Sequence, residues 1–179
     1  MKIPTMKTPR LLLRAWSEAD IDPLFQMLNE GDIMKYFPNP NPPPREKVEK
    51  IIARQMHDWE EHGYAWWAVE LPETKTLMGW CGLGYLPETR ETEVAYLLGR
   101  AHWGHGYATE AGRVSLQFGY EKMGIEQIIA LVHPENLAST HVIEKLGMGY
   151  VDLVHYWGID LKRYRLGKHQ WAEQAPVNG

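Results

Sequence analysis

The sequence of 179 residues lacks the features that mark several large classes of protein. Cys81 is the single cysteine, so no intramolecular disulfide can form, as is usual in a reducing compartment. No apolar stretch approaches the length of a transmembrane helix, and residues 1–14 contain no signal-peptide core. We therefore expect a cytoplasmic protein without a membrane partner. The net charge of −4, without blocks of like charge, gives no reason to expect nucleic-acid binding.

Common catalytic and metal-binding signatures are also missing. There is no H-E-x-x-H motif and no pair of cysteines, and the histidines near each other in sequence, His102 with His105 and His133 with His141, match no zinc pattern. We therefore expect no metal site. No serine lies in a nucleophile-elbow motif. Cys81 lies in an apolar segment, which favours a buried packing role over a nucleophilic one.

Hydrophobic residues are plentiful, at 44% of the chain, and the length suits one domain with one core, expected over about residues 8–167. Eight tryptophans are present, which indicates core packing, with one or two of them lining a substrate pocket. No internal repeat or low-complexity segment is found.

Apolar periodicity, prolines and glycines predict the element order β-α-α-β-β-β-α-β-α-β-β. The predicted strands are 8–15, 64–71, 76–85, 91–98, 126–132, 150–155 and 159–166. Four helices are predicted. The first begins at Ser17, with Asp20 as its capping partner, and the third begins after the glycines of 99–106. The second and fourth span 45–62 and 136–146. A proline-rich loop spans 38–44, and the last dozen residues are expected to fray. This order predicts a mixed α+β fold in which a helix starts at the end of a central strand.

Residues 103–111, with the sequence WGHGYATEA, form the most informative segment, because they follow an apolar strand and open a helix. The first turn of a helix has free backbone N–H groups and a positive dipole end. Glycines let several N–H groups converge on an anion, so this segment would suit a pyrophosphate. A G-x-G pair by itself is usually a simple turn, and this one matches neither a Walker loop nor a dinucleotide fingerprint.

The wider stretch from Glu93 to Ala111 resembles the acetyl-CoA site of the GNAT superfamily of N-acetyltransferases, in particular the branch of the ribosomal-protein N-terminal acetyltransferases. The family signature is Gln/Arg-x-x-Gly-x-Gly/Ala. Trp103 stands at its first position here, as is common in that branch. A second match, N-L-A-S-T at 136–140 with E-K-L-G-M at 144–148, follows at the expected distance. The element order also agrees over nearly the whole chain.

The resemblance implies a mostly antiparallel central sheet, with helices on both faces, that splays at a V between strands 93–98 and 126–132. The pantetheine arm of acetyl-CoA would fill that V and pair with the backbone of the first strand. Asn136 would reach the cofactor near its reactive end, although in isolation it also reads as a helix N-cap. The residues implied in cofactor binding are Tyr96, Leu97, Leu98, Trp103, Gly104, His105, Gly106, Tyr107, Ala108, Thr109 and Asn136.

The implied reaction is direct attack of an amine on the thioester in a ternary complex. Most amines are protonated at neutral pH, so a base is needed, and Glu93 is the candidate. A backbone N–H near Leu97 would stabilise the oxyanion, and Ser139 would donate to the leaving thiolate. The alternative roles are a solvated strand-end carboxylate for Glu93 and an ordinary first-turn helix residue for Ser139. Glu110, inside the helix after the glycines, reads as structural.

Two functional classes stay open at this point: an N-acetyltransferase, and a non-catalytic module that binds or senses acyl-CoA. Glu93 and Ser139 favour the enzyme, because a binding module needs no base. The acceptor would be a protein N-terminus or a small-molecule amine. The first two helices, the proline-rich loop and the final hairpin would line its pocket, and they carry no readable specificity motif. A homodimer is compatible with the sequence, which leaves the oligomeric state open.

Overall fold

The computed structural model describes residues 2–174 and contains one mixed sheet of eight strands. The strands are β1 (Met6–Lys7), β2 (Leu12–Arg14), β3 (Trp66–Leu71), β4 (Thr76–Leu86), β5 (Glu91–Leu98), β6 (Gln127–Val132), β7 (Gly149–Tyr156) and β8 (Ile159–Gly167). The helices are α1 (Ile21–Leu28), α2 (Arg45–His62), α3 (Tyr107–Gln117), α4 (Leu137–Lys145) and α5 (Lys168–Gln174). No helix among residues 2–174 is both long enough and apolar enough to cross a membrane.

The sheet has the order β1-β2-β3-β4-β5-β6-β8-β7, and every neighbouring pair except β5–β6 is antiparallel. The parallel β5–β6 pair is in register at one position, Glu93 opposite Ile129. By contrast, β4 and β5 pair along the whole of β5. The two central strands therefore touch near one end and separate beyond it, which confirms the predicted V.

Helices cover both faces of the sheet. Apolar side chains of α1 and the first half of α2 pack against Ala68, Trp80 and Leu97 on one face. Side chains of α3 and α4 pack on the other face, around Cys81 and Val94. Leu97 and Leu98 are neighbours on β5 that belong to different cores, so this strand is covered on both sides as its continuous apolar sequence predicts.

The first predicted strand is wrong in its extent. The chain turns between β1 and β2, where the Thr8 N–H donates to the Leu11 carbonyl at 3.0 Å and the Thr8 hydroxyl accepts from the Leu11 N–H at 2.9 Å. Pro9 lies in this turn and has no N–H to give to a strand ladder. The predicted Ser17–Asp20 capping box is present, and the Ser17 N–H donates to Asp20 at 2.8 Å. It caps a short 3₁₀ turn, which leads directly into α1.

The chain end differs from the expected fraying. Residues Lys168–Gln174 form α5, and Trp171 packs on the core with its ring 5.6 Å from that of Tyr120. This packing, together with hydrogen bonds from the Gly167 N–H to Gln170 and from Gln174 to the Gly147 carbonyl, holds a short terminal helix that has no strong sequence signal. The rest of the predicted frayed segment, 175–179, lies outside the described residues.

Candidate active site

Two cavities open at the V, one on each side of the point where β5 leaves β6. The larger, of about 680 Å³, runs from the start of α3 along the end of β5 to the start of α4. The smaller, of about 270 Å³, lies deeper among aromatic side chains and includes Glu93. Residues that border both are Tyr36, Phe37, Tyr96, Asn136 and Ser139. The cavities therefore meet where β5 faces the first turn of α4.

The glycine loop forms one end of the larger cavity. Gly104 and Gly106 both have φ of +78°, a left-handed conformation that a side chain disfavours, and Gly106 is the N-cap of α3. Within residues 2–174, none of the N–H groups of this loop and first turn donates to a backbone carbonyl. They belong to Gly104, His105, Gly106, Tyr107, Ala108 and Thr109. This arrangement can bind a phosphate group.

Arg10 holds this loop in place. Its guanidinium donates to the His105 carbonyl at 2.9 Å and to Glu110 at 2.7 Å, and it lies 4.5 Å from the centre of the Tyr107 ring. Glu110 also accepts from Thr8 and from the Arg10 N–H, and these bonds outweigh burial and lower its pKa. Glu110 is thus structural, as predicted. No sequence signal identified Arg10, which is distant in the chain.

The backbone of β5 presents alternate residues to the V. The Gly99 N–H donates to Met78 at 2.9 Å, towards β4, whereas the Leu98 carbonyl accepts from the Trp103 indole at 2.7 Å and so faces away from β4. In an antiparallel ladder the two backbone groups of one residue point to the same side. The N–H groups directed into the V are therefore those of Tyr96 and Leu98. Leu97, which sequence reasoning placed at the oxyanion, directs its own backbone groups to β4.

Tyr96 and Ser139 connect β5 to α4 across the junction of the cavities. The Tyr96 hydroxyl lies 2.8 Å from the Ser139 hydroxyl and donates to the Ser139 carbonyl at 2.9 Å. Burial raises the pKa of Tyr96, so its hydroxyl stays protonated. Ser139 thus lies at the junction. The side chain of Tyr96 also lies there, although sequence reasoning gave Tyr96 only a backbone role.

Asn136 acts as the N-cap of α4, since its side-chain oxygen accepts from the Ser139 N–H at 3.1 Å. Its carboxamide also borders both cavities, with its two N–H donors outside this cap bond. The two roles that the sequence left open are compatible, because the cap uses the oxygen and leaves the nitrogen. The cap holds the first turn of α4, and with it Ser139, at the junction.

Glu93 lies in the smaller cavity, and within the described part of the chain its carboxylate accepts no hydrogen bond from the protein. Desolvation by burial raises the pKa of Glu93 to about 7. A carboxylate with this pKa can exist in both protonation states near neutral pH. That property suits a proton acceptor, and an ordinary surface glutamate does not have it.

Aromatic residues that the sequence did not single out line the smaller cavity. They are Tyr36 and Phe37 from the loop between α1 and α2, Trp66 from β3, Trp80 from β4 and Trp157 from the β7–β8 turn. Pro38 of the proline-rich loop and Leu161 of the final hairpin also line this cavity. Among residues 2–174, α1 and α2 contribute no lining residue, although the sequence led us to expect both helices there. Half of the tryptophans border a cavity once Trp103 is included, more than the one or two predicted.

Further ionisable side chains lie both at this site and away from it. His133 lines the smaller cavity, and His102 and His141 line the larger one. Cys81 is fully buried, and burial raises the pKa of its thiol to about 12, so it has the packing role that was predicted. Among residues 2–174, Asp58, Glu61 and His62 at the end of α2 are close enough together to hold a metal ion, but none of them borders either cavity. His105 lies beside Tyr107, and His133 beside Tyr36.

Comparison with known proteins identifies the family. The model of the acetyltransferase (GNAT) domain matches residues 10–149. The protein YkkB of Bacillus subtilis is 31% identical over 167 residues, which cover 88% of this chain and 92% of YkkB. A solved acetyltransferase from Agrobacterium tumefaciens is 26% identical and superimposes with a TM-score of 0.81 over 93% of this chain and 95% of its own.

The ribosomal branch is represented by RimL, the ribosomal L7/L12 alpha-N-protein acetyltransferase, solved in complex with coenzyme A. It has the same fold, with a TM-score of 0.78, at 16% identity over 92% of this chain and 98% of RimL. The splayed sheet, the glycine loop at the start of α3 and these similarities lead to one conclusion. The chain belongs to the GNAT family of acetyltransferases and resembles its ribosomal-protein branch.

Proposed function

We propose that this protein is an acetyl-CoA-dependent N-acetyltransferase that transfers the acetyl group to a primary amine by direct attack in a ternary complex. The observation that carries the proposal is the junction of the two cavities, with Glu93 in the smaller one and the Tyr96–Ser139 pair at their common border. One cavity suits each substrate, and the reacting atoms would meet between them. GNAT enzymes use acetyl-CoA, and RimL was crystallised with coenzyme A.

Acetyl-CoA would occupy the larger cavity. The free N–H groups of the loop that Arg10 holds would bind its pyrophosphate. Lys35, Arg100 and Lys145 line the walls with Asp32 and Glu135, and although Lys35 and Arg100 pair with Asp32, the formal charge of these five side chains is positive, which favours an anion. The pantetheine arm would pair with the exposed backbone groups of Tyr96 and Leu98, as an added strand would. The thioester would then lie at the junction, with the Leu98 or Tyr96 N–H at its carbonyl oxygen.

The amine would enter the smaller cavity and lose its proton to Glu93. The indole N–H of Trp66 is buried without a partner, and a Cβ built on Gly84 would lie 3.4 Å from that nitrogen and 3.6 Å from Glu93 Oε1. A water molecule bound next to Gly84 would contact both groups. It could accept the amine's proton and pass one to Glu93, so the base acts through this water in our proposal.

The neutral amine then attacks the carbonyl carbon of the thioester. Collapse of the tetrahedral intermediate breaks the C–S bond, releases an amide, and leaves the thiolate of coenzyme A near Ser139. For Ser139 to donate a hydrogen bond to this thiolate, the Tyr96 hydroxyl, 2.8 Å away, would turn its proton from the Ser139 carbonyl to the Ser139 hydroxyl oxygen. The thiolate would then take up the second proton that the attacking nitrogen loses on collapse. Residues 8–167 would hold all of these groups in one catalytic unit.

Thiol release from acetyl-CoA with a broad panel of amines tests this function directly. We expect amine-dependent release together with mass-spectrometric detection of an acetylated product. Acetyl-CoA should also raise the melting temperature, since a ligand present at about 100 times its Kd stabilises the folded state by about 2.7 kcal/mol. Stabilisation without amine-dependent thiol release would indicate the non-catalytic acyl-CoA-binding module instead. No stabilisation at millimolar acetyl-CoA would contradict both functions.

A further inference from the structure

The chemistry of the smaller cavity points to the kind of amine that it accepts. Its volume of about 270 Å³ is slightly below the range of about 300–1,000 Å³ that is usual for drug-sized ligands. Among its lining residues that the structure describes, Glu93 is the one carboxylate. Most of the remaining lining side chains are apolar or aromatic. The acceptor that fits is a small molecule with one basic group and an apolar body.

The aromatic rings form a continuous wall. Trp66 and Trp80 stack with their centroids 5.2 Å apart and an interplanar angle of 5°, and Phe37 meets Trp80 edge-on at 6.5 Å. These rings come from β3, β4 and the loop after α1, so three separate parts of the chain converge here. Aromatic walls of this kind bind a flat ring by stacking and edge contacts better than they bind a flexible alkyl chain.

Trp157 is a further aromatic residue that lines the cavity, from a separate part of the chain. It has φ of +52° and precedes Gly158 with φ of +82°, in the turn between β7 and β8. A bulky side chain is strained in this left-handed conformation, and Asn-Gly is the favoured sequence for such a turn. The Trp157 indole nevertheless borders the cavity and is 49% exposed. Lys75 and Arg90 have a similar left-handed conformation outside both cavities, so what distinguishes Trp157 is its place in the cavity wall.

We infer that the acceptor is an arylalkylamine, that is, a primary amine on a short chain attached to an aromatic ring. This inference rests on the proposed function. The ring would lie between Trp157 and the Phe37–Trp80–Trp66 wall, and the amine would point towards Glu93 and the junction with the larger cavity. The ammonium group loses one proton to Glu93, and the neutral amine attacks the thioester carbon. The C–S bond breaks to give the N-acetyl amide, and the thiolate takes up the second proton that the nitrogen loses.

Other amine classes fit less well. A polyamine would bring additional ammonium groups into a cavity that has one carboxylate, and a desolvated unpaired charge is costly. A protein N-terminus would bring peptide groups that need hydrogen-bond partners, and the walls offer few. Both classes therefore serve as competing outcomes in the test.

The test compares kcat/KM for 2-phenylethylamine, tryptamine, n-butylamine, spermidine and short peptides with N-terminal alanine or serine, by thiol release at saturating acetyl-CoA. We expect the two arylalkylamines to exceed the others by at least about tenfold, a difference of about 1.4 kcal/mol. A preference for spermidine or a peptide would overturn the inference while leaving the proposed acetyltransferase intact. Thiol release with none of the wider panel of amines would instead contradict the proposed function.

The substitution Trp157→Asn tests whether the indole binds the aromatic ring of the acceptor, without lowering the stability of the fold. This substitution creates the favoured Asn-Gly turn, so we expect the melting temperature to be unchanged or higher. The KM for 2-phenylethylamine should rise about tenfold with little change in kcat, and kcat/KM for n-butylamine should stay the same. Leu153→Asn, on the same strand pair, 55% exposed and outside both cavities, is the matched control. An equal KM in Trp157→Asn and the parent protein would remove the indole from the site.

Discussion

The two cavities are built by different means. The larger one depends on backbone: free N–H groups at residues 104–109, two left-handed glycines, and the exposed groups of β5. The smaller one depends on side chains that converge from β3, β4, β5, the loop after α1 and the final hairpin. A site made of backbone requires a contiguous local sequence, whereas a site made of side chains can be assembled from any positions that meet in space. The first kind leaves a motif in the sequence, and the second leaves none.

The largest effect is expected in the smaller cavity, for Glu93→Gln. Removing the base should lower kcat about 100- to 10,000-fold, and the affinity for acetyl-CoA should hardly change because the cofactor contacts the backbone of β5. Steady-state kinetics and a binding titration measure the two quantities. Glu91→Gln is the matched control, because Glu91 lies on the same strand and is held by Arg163 at 3.3 Å outside both cavities.

The pH dependence of the parent enzyme provides a check on the same residue. With a pKa of about 7, Glu93 is mostly protonated at pH 6 and mostly ionised at pH 8, so kcat should rise with pH through this interval. The rise should be absent in Glu93→Gln. A kcat for this variant near the parent value at neutral pH would show that the base lies elsewhere.

The next effect concerns the junction between the cavities. Ser139→Ala removes the hydroxyl proposed to donate a hydrogen bond to the thiolate and should lower kcat by up to about 100-fold, because a hydrogen bond to a charged group contributes about 1.5–3 kcal/mol. Tyr96→Phe removes the hydroxyl that lies 2.8 Å from Ser139 and should have a smaller effect, because it would leave the donor in place. If Tyr96→Phe caused the larger loss, the proton donor would be Tyr96 and the assignment of Ser139 would be wrong.

A smaller effect is expected in the larger cavity, for Gly106→Val. The new side chain is strained at φ of +78° and should displace N–H groups that bind the pyrophosphate. Loss of one hydrogen bond to a charged group costs about 1.5–3 kcal/mol, so the Kd for acetyl-CoA should rise about 10- to 100-fold. Gly124→Val introduces similar strain at φ of +67°, in open space outside both cavities, and should leave the Kd unchanged. Equal effects of the two substitutions would remove the loop from the site.

The smallest effect is on stability. Burial raises the pKa of Glu93 in the folded protein to about 7 from its ordinary value of 4.5, so the folded state holds this proton more tightly than the unfolded state does. The stability that this carboxyl contributes is full below about pH 4.5 and is lost as the pH rises to 7. Glu93→Gln should therefore melt a few degrees above the parent at pH 8, and this advantage should shrink towards pH 4.5. A difference in melting temperature that does not vary with pH would mean that Glu93 is not desolvated.

Most helices and strands were predicted correctly from the sequence, because the spacing of apolar residues and the capping residues act over short distances along the chain. The helix Arg45–His62 and the strand Glu91–Leu98 have the predicted bounds. The errors occur where a distant contact decides the outcome. The helix α5 is held by distant residues, since Trp171 stacks on Tyr120 and Gln174 donates to the Gly147 carbonyl. The turn after Lys7 depends on Pro9 and on the Thr8–Leu11 bonds, which interrupt a segment whose composition suits a strand.

The sequence by itself determined the family resemblance, the glycine loop at the start of α3 and the choice of Glu93 and Ser139 as candidates, since each depends on neighbouring residues or a fixed spacing. Tertiary structure decided which backbone groups of β5 face the V, because strand alternation is set by pairing with β4. It also decided that Arg10 supports the loop and that Tyr36, Phe37, Trp66, Trp80 and Trp157 enclose Glu93. These contacts join residues far apart in the chain, and only packing of the two sheet faces brings them within range of one another.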